Sequence, residues 1–222
     1  MERELLTTGF STLCGVDEAG RGPLCGPVVA AAVVFPVDEN PLPAVLDGID
    51  DSKRLSPSQR LLLADRIREL ALATGIGLAD SEEIDRLNIR QATLLAMSRA
   101  VHALRAPNQT NEAPMIIPAF VLIDGRDVPT DLPAPARAVV KGDQLSVSIA
   151  AASILAKTHR DALMEQWALR YPGYGWERNA GYPTAEHLRA LESLGVTPIH
   201  RRSYAPVARR MMEEAGRNRS DC

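Results

Sequence analysis

Asp17 and Glu18 end a short apolar run, Leu13 to Val16, and Gly20-Arg21-Gly22 follows almost at once. Asp124 closes a second apolar run in Leu122-Ile123-Asp124-Gly125, and Asp143 borders a third in Val140-Lys141-Gly142-Asp143. Oxygen-only donor sets suit hard divalent cations such as Mg²⁺ or Mn²⁺ better than Zn²⁺. Four carboxylates gathered without a cation would repel and raise one another's proton affinity. Two bound cations would activate water and stabilise the leaving oxygen of a phosphodiester cut in line. Taken singly, each aspartate reads as a turn or cap residue; their recurrence at strand ends points to a metal-dependent nuclease.

Arg21, flanked by glycines, can present its guanidinium to a phosphate while nearby backbone N–H groups approach it. The turn is not a nucleotide-binding P-loop, because the Gly-Lys-Ser/Thr ending is absent. Lys53, in Ser52-Lys53-Arg54, offers a second phosphate contact or simply a basic turn. Ser146 and Ser148 can cap a helix whose amino end favours phosphate. Lys157 and Arg160 either face nucleic acid or, for Arg160, pair with a carboxylate. Trp167, Tyr171, Tyr174 and Trp176 either stack on bases or pack a core.

These residues need a scaffold. Leu13 to Asp17 and Val28 to Phe35 read as strands joined by the glycine-rich turn, and Asp38 to Lys53 as a loop. Adjacent strand residues face opposite sides of a sheet, so Asp17 and Glu18 can share one ion only if the chain bends at Glu18. Ser56-Pro57 opens a helix to about Ala73, followed by a strand to Ala79. One helical stretch is expected from Ser81 to about Leu104, then a Pro- and Asn-rich connection over 106–118. Strands over 120–123 and 138–140 flank a proline-rich turn at 127–135. An alanine-rich helix from Ser146 to about Tyr171, one from Thr184 to Leu194 and a short one over 207–215 complete the chain. Strands and helices interleave, which predicts a mixed α/β fold.

The chain has 222 residues, 45% hydrophobic and 24% charged, enough for one domain with a full core. Three cysteines, Cys14, Cys25 and Cys222, form no metal framework, and no signal peptide is evident, so a reducing cytoplasm is expected. Val28 to Phe35 is too short to cross a bilayer. The formal net charge is -3, but it is uneven. Residues 1–98 carry nine Lys/Arg against fifteen Asp/Glu, and 99–222 carry sixteen against thirteen. A basic surface in the second half is compatible with phosphate contacts.

The ordered motifs resemble bacterial ribonuclease HII, the type 2 ribonuclease H. They are Gly15-Val16-Asp17-Glu18-Ala19-Gly20-Arg21-Gly22, Asp51-Ser52-Lys53-Arg54-Leu55, Leu122-Ile123-Asp124-Gly125, Lys141-Gly142-Asp143 and the run Ala150 to Lys157. Gly181-Tyr182-Pro183-Thr184 with His187, and His200 to Val207, complete the set. The resemblance implies a ribonuclease H-like mixed β-sheet flanked by helices, with a small C-terminal helical extension. It places a catalytic domain over 1–208 and a flexible polar tail over 209–222.

It further implies hydrolysis of RNA in RNA–DNA hybrids and incision 5′ to ribonucleotides embedded in duplex DNA, leaving 3′-hydroxyl and 5′-phosphate ends. Asp17, Glu18, Asp124 and Asp143 map onto the catalytic carboxylates that bind Mn²⁺ or Mg²⁺. Gly20-Arg21-Gly22 maps onto the loop that senses the ribonucleotide 2′-OH and adjoining phosphate. Tyr182 maps onto the tyrosine that stacks at the junction, and Lys53 and Ser148 are carried as further substrate contacts. A monomer is expected. Two other readings stand beside it. A metal-dependent phosphomonoesterase lacks its Asp-x-Asp nucleophile here, and a noncatalytic binding module would be repelled by four acids.

Overall fold

The computed structural model describes residues 2–36, 56–106 and 114–220, apart from the side chains of Arg3 and 217–220. The expected loop Asp38 to Lys53, the motif Asp51 to Leu55 and much of the 106–118 connection lie outside the described residues. The chain opens with α1 (Glu2–Thr7), for which no sequence signal was read. β1 (Leu13–Ala19) and β2 (Val28–Val34) follow, then α2 (Pro57–Leu70) and β3 (Ala73–Ala79). Next come α3 (Ser81–Leu87), α4 (Ile89–His102), β4 (Phe120–Asp124) and β5 (Ala136–Val139). A 3-10 turn, Gly142–Gln144, leads into the long α5 (Val147–Arg170). α6 (Trp176–Asn179), α7 (Ala185–Leu194) and α8 (Ala205–Ser220) close the described chain.

The sheet runs β3-β2-β1-β4-β5. β1 is antiparallel to β2 and parallel to β4, and β4 is parallel to β5. The C-terminal ends of β1, β4 and β5 therefore share one edge of the sheet. That topology carries the site, because every expected acid lies at or just past one of these three ends.

Side chains alternate across the sheet. Cys14, Val16, Ala30 and Ile123 pack under α4 with Ala96, Ala100 and Val101. Ala31 and Val33 face α2 and α5, against Ile67 and the alanine run Ala150 to Ala152. Helices cover both faces, so β2 is apolar and buried along its whole length. The small alanine side chains let α5 lie close on the sheet, as expected from the sequence. Among the described residues no helix is long and apolar enough to cross a membrane.

Two of the expected helices differ in extent, and α6, like α1, was not foreseen. The single helix foreseen over 81–104 is two, because Asn88 adopts a positive φ of 70° between them. Its own N–H closes α3 on the Ile84 carbonyl, and its amide oxygen accepts from the N–H groups of Arg90 and Gln91. With ψ at 161° this lies outside the left-handed helical region that asparagine favours, so these capping bonds hold the residue in a strained conformation. The last helix is longer than the expected 207–215, running through most of the segment read as a tail; Pro206 in its first turn suits a helix start.

Candidate active site

β1 pairs with β4 up to Val16↔Ile123, so the next residues, Asp17 and Asp124, stand side by side at the sheet edge. The ladder between β1 and β2 continues unbroken through Ala19↔Val29, so the bend expected at Glu18 does not interrupt pairing on that side. Even so, one carboxylate oxygen from each of Asp17, Glu18 and Asp124 lies within 4.8 Å of the other two. Asp143 is half-buried on the 3-10 turn after β5, outside this trio but next to it. The neighbouring Gly142 N–H donates to Asp124 Oδ1 at 2.7 Å, which fixes that carboxylate.

The electrostatics of the trio are strained. Asp17 is 6% exposed. Burial first, then the charges of Glu18 and Asp124, push its proton affinity well above the usual carboxylate range; the Ser153 hydroxyl and the Glu18 N–H work against this. Burial also raises Glu18, opposed mainly by Arg21, whose Nη1 lies 3.2 Å from Glu18 Oε1. A divalent cation would relieve both the desolvation and the mutual repulsion, and three oxygen donors on one side of an open edge fit a hard ion.

The glycine-rich loop lies beside these acids. Gly20 has φ 96°, and a Cβ there would come within 2.1 Å of Arg160 Nε, so no other residue fits without displacing that guanidinium. A Cβ on Gly22 would stand 3.3 Å from Tyr182 Cε1, so the tyrosine ring rests against the loop. Arg21 and Tyr182 are both exposed. A cavity of about 410 Å³ joins Glu18, Gly20, Arg21, Gly22, Lys157 and Tyr182. Seven of the ten expected site residues, Asp17, Glu18, Asp124, Gly20, Arg21, Gly22 and Tyr182, thus lie together, while Asp143 flanks them.

Other sequence candidates sit elsewhere. Lys53 lies outside the described residues. Ser148 is buried at the start of α5, where its N–H and hydroxyl both donate to Glu2 Oε1. Arg160 takes neither expected role: it is buried, and it donates to the backbone carbonyls of Cys25, Pro27 and Ala180. Trp176 and Tyr174 are core residues stacked at 4.7 Å. Sequence reasoning missed Arg201, whose guanidinium holds the loop from beneath. Its only signal was membership of the His200-to-Val207 run.

A second set of potential ligands, Cys25, His187 and His200, is buried behind the loop. Soft sulfur and nitrogen donors do not suit Mg²⁺ or Mn²⁺. Their hydrogen bonds also fix the protons. The Thr197 N–H donates to His200 Nδ1, so His200 carries its proton on Nε2 and donates to His187 Nε2. Trp176 Nε1 donates to the same His187 nitrogen, leaving His187 Nδ1–H to donate to the Tyr182 carbonyl at 3.0 Å. Burial, with the neighbouring His187, lowers His200 to about 3, and burial raises the Cys25 thiol to about 12. The set is a neutral hydrogen-bonded core that anchors the backbone of Tyr182.

The family model of ribonuclease HII matches residues 14–207. A ribonuclease HII of Halorhodospira halophila is 56% identical over 195 residues, covering 88% of this chain and 92% of that protein. Another, of Chlorobium luteolum, is 52% identical over 200 residues, covering 90% and 91%. Among solved structures, the crystal structure of the ribonuclease H2 from Pyrococcus horikoshii superposes with a TM-score of 0.74 at 28% identity, over 93% of this chain and 99% of that one. The edge-clustered acids, the adjoining loop and the mixed sheet are thus those of a known family: the chain belongs to ribonuclease HII, the metal-dependent endoribonucleases that act on RNA–DNA hybrids and on ribonucleotides in DNA.

Proposed function

We propose that this protein cuts on the 5′ side of a ribonucleotide within duplex DNA or an RNA–DNA hybrid, leaving 3′-hydroxyl and 5′-phosphate ends. The observation that carries this reading is the meeting of Asp17, Glu18 and Asp124 at one sheet edge, beside a loop and a tyrosine ring that open onto the same cavity. In this reading Asp17, Glu18, Asp124 and the adjoining Asp143 hold one or two divalent ions, Mn²⁺ or Mg²⁺. Bound there, such ions supply an activated water and neutralise charge at the leaving oxygen.

The chain's own residues do the selecting. Arg21 rests on Glu18 and, from an exposed position, reaches a phosphate of the incoming strand. The Gly20-Arg21-Gly22 backbone meets the 2′-OH, a donor and acceptor that DNA lacks. Tyr182 offers its exposed ring to the sugar or base pair at the junction. Lys53 is a further phosphate contact. Ser148, buried beneath Glu2, has no part in this reading. The buried thiols of Cys14 and Cys25 fit a reducing cytoplasm, and the working unit is a monomer.

Duplex DNA with one ribonucleotide tests the proposal. A single metal-dependent incision 5′ to the ribonucleotide is expected, with kcat reduced about a thousandfold or more by Asp124→Asn. Equal cleavage of an all-DNA duplex, or binding without turnover in both Mn²⁺ and Mg²⁺, would overturn it.

A further inference from the structure

The segment from Gly20 to Pro27 is tied down by two arginines. Arg201 donates to the carbonyls of Gly20 at 2.6 Å, Arg21 at 2.9 Å and Gly26 at 3.0 Å. Arg160 donates to the carbonyls of Pro27 at 3.2 Å, Cys25 at 3.2 Å and Ala180 at 2.9 Å. Both side chains are buried, at 1% and 0% exposure for Arg160 and Arg201, and among the described residues neither forms an ion pair. Burial and the nearby Arg201 bring Arg160 down only to about 10, so it stays charged at neutral pH. Two buried cations without a carboxylate are a costly arrangement, and costly local arrangements collect at functional sites.

Peptide geometry shows what the arrangement achieves. In a planar trans peptide the C=O and N–H point in opposite directions. Arg201 draws the Gly20 and Arg21 carbonyls towards itself, so the N–H groups of Arg21 and Gly22 turn away from it, and both residues line the cavity. Successive N–H groups so turned form a receptor for an anion or a hydroxyl oxygen.

Arg160 joins this loop to a second one. Its bond to the Ala180 carbonyl holds an alanine at φ 47°, two residues before Tyr182. The left-handed region is unfavourable for alanine, so the surrounding bonds must impose it. Asn179 does part of this, accepting from the Gly181 N–H and donating to the Tyr174 carbonyl.

We propose that Arg160 and Arg201 are positioning residues for ribonucleotide recognition: Arg201 aims the two N–H donors of the loop, and Arg160 sets the spacing between that loop and Tyr182. This rests on the reading that the loop and Tyr182 meet the ribonucleotide. Neither arginine touches the scissile bond.

The test uses the full chain and duplex DNA with one ribonucleotide. Arg160→Lys and Arg201→Lys keep the charge but lose the three-way fork. Each is expected to lower kcat at least about tenfold while KM moves less than about threefold. In a Tyr182→Ala background, Arg160→Lys is expected to cost less than about twofold more, because the spacing it sets no longer matters. The same fold loss in both backgrounds, or full activity in either folded lysine variant, overturns the proposal.

Should a lysine variant fail to fold, Tyr204→Phe decides. It deletes only the hydroxyl that accepts from Arg201 at 3.0 Å and donates to the Arg21 carbonyl at 2.7 Å. A loss in kcat of about threefold to tenfold with melting unchanged supports the clamp, and unchanged kcat refutes it. Wild-type turnover in Tyr182→Ala alone would instead sink the assignment of Tyr182, and Tyr204→Phe would still judge Arg201.

Discussion

Asp17 carries the sharpest conflict between stability and function at the level of single residues. It is buried among like charges, and its proton affinity is raised well above that of an ordinary carboxylate. A carboxyl with a raised folded pKa stabilises the ion-free fold below its unfolded pKa of about 3.9, and this contribution is lost as pH rises through the folded value. Where Asp17 is ionised, it therefore weakens the ion-free protein. Asp17→Asn is expected to abolish turnover yet raise the ion-free Tm, by about 2–4 °C for each kcal/mol relieved. The gap over wild type should widen as pH rises towards neutrality. Ion-free melts of both proteins check this, and an Asn variant that melts lower than wild type at neutral pH would refute it. The three acids that meet, Asp17, Glu18 and Asp124, were legible in the sequence because carboxylates at strand ends have a chemistry of their own. Ser153, which tempers Asp17, was not: a hydroxyl in an alanine-rich helix reads equally well as packing.

Capping shows what is and is not legible at the level of elements. Ser56, Thr184 and Ser146 cap α2, α7 and α5 as their spacing implies, because each acts on N–H groups within three residues. The second half of the α5 cap comes from far away. Glu2, on α1, accepts from the Ser146 hydroxyl at 2.5 Å and from the Ser148 N–H at 3.1 Å, and also takes the Ser148 hydroxyl. No local pattern encodes a partner 144 residues distant, and a six-residue helix has too few positions to show a period. A carboxylate at a helix amino end gains from both the unpaired N–H groups and the helix dipole. Glu2→Ala would leave two buried serine hydroxyls short of an acceptor, so a loss of about 1–2 kcal/mol is expected, or about 2–8 °C in Tm. At a temperature where the variant stays folded, kcat should be unchanged. An unaltered melt would mean that α5 does not depend on α1.

At the scale of the whole molecule, the C-terminal third reaches back to build the site begun by the first strand. Leu24 and Gly26 donate to the carbonyls of Gly181 and Ile199, and Arg201 donates to the carbonyls of Gly20, Arg21 and Gly26 in the same segment. The motifs contain Gly181 and Arg201 but not Leu24, Gly26 or Ile199, and the geometry was hidden, because backbone carbonyl acceptors leave no mark on residue type. Arg160, expected to face nucleic acid or pair with a carboxylate, instead binds three backbone carbonyls. With the edge built from both ends of the chain, ion binding should stabilise the fold as a unit. At an ion concentration about a hundred times Kd, the gain is about 2.7 kcal/mol, or about 5–10 °C in Tm. Protons compete for the same oxygens. Since Asp17 and Glu18 are both raised, the ion-induced shift should begin to shrink, as pH falls, above the ordinary carboxylate range of about 4. Melts with and without Mn²⁺ or Mg²⁺, from about pH 8 to about pH 5, would follow that loss. A shift that stayed constant across this window would place the bound ion on groups that do not titrate there, and so away from Asp17 and Glu18.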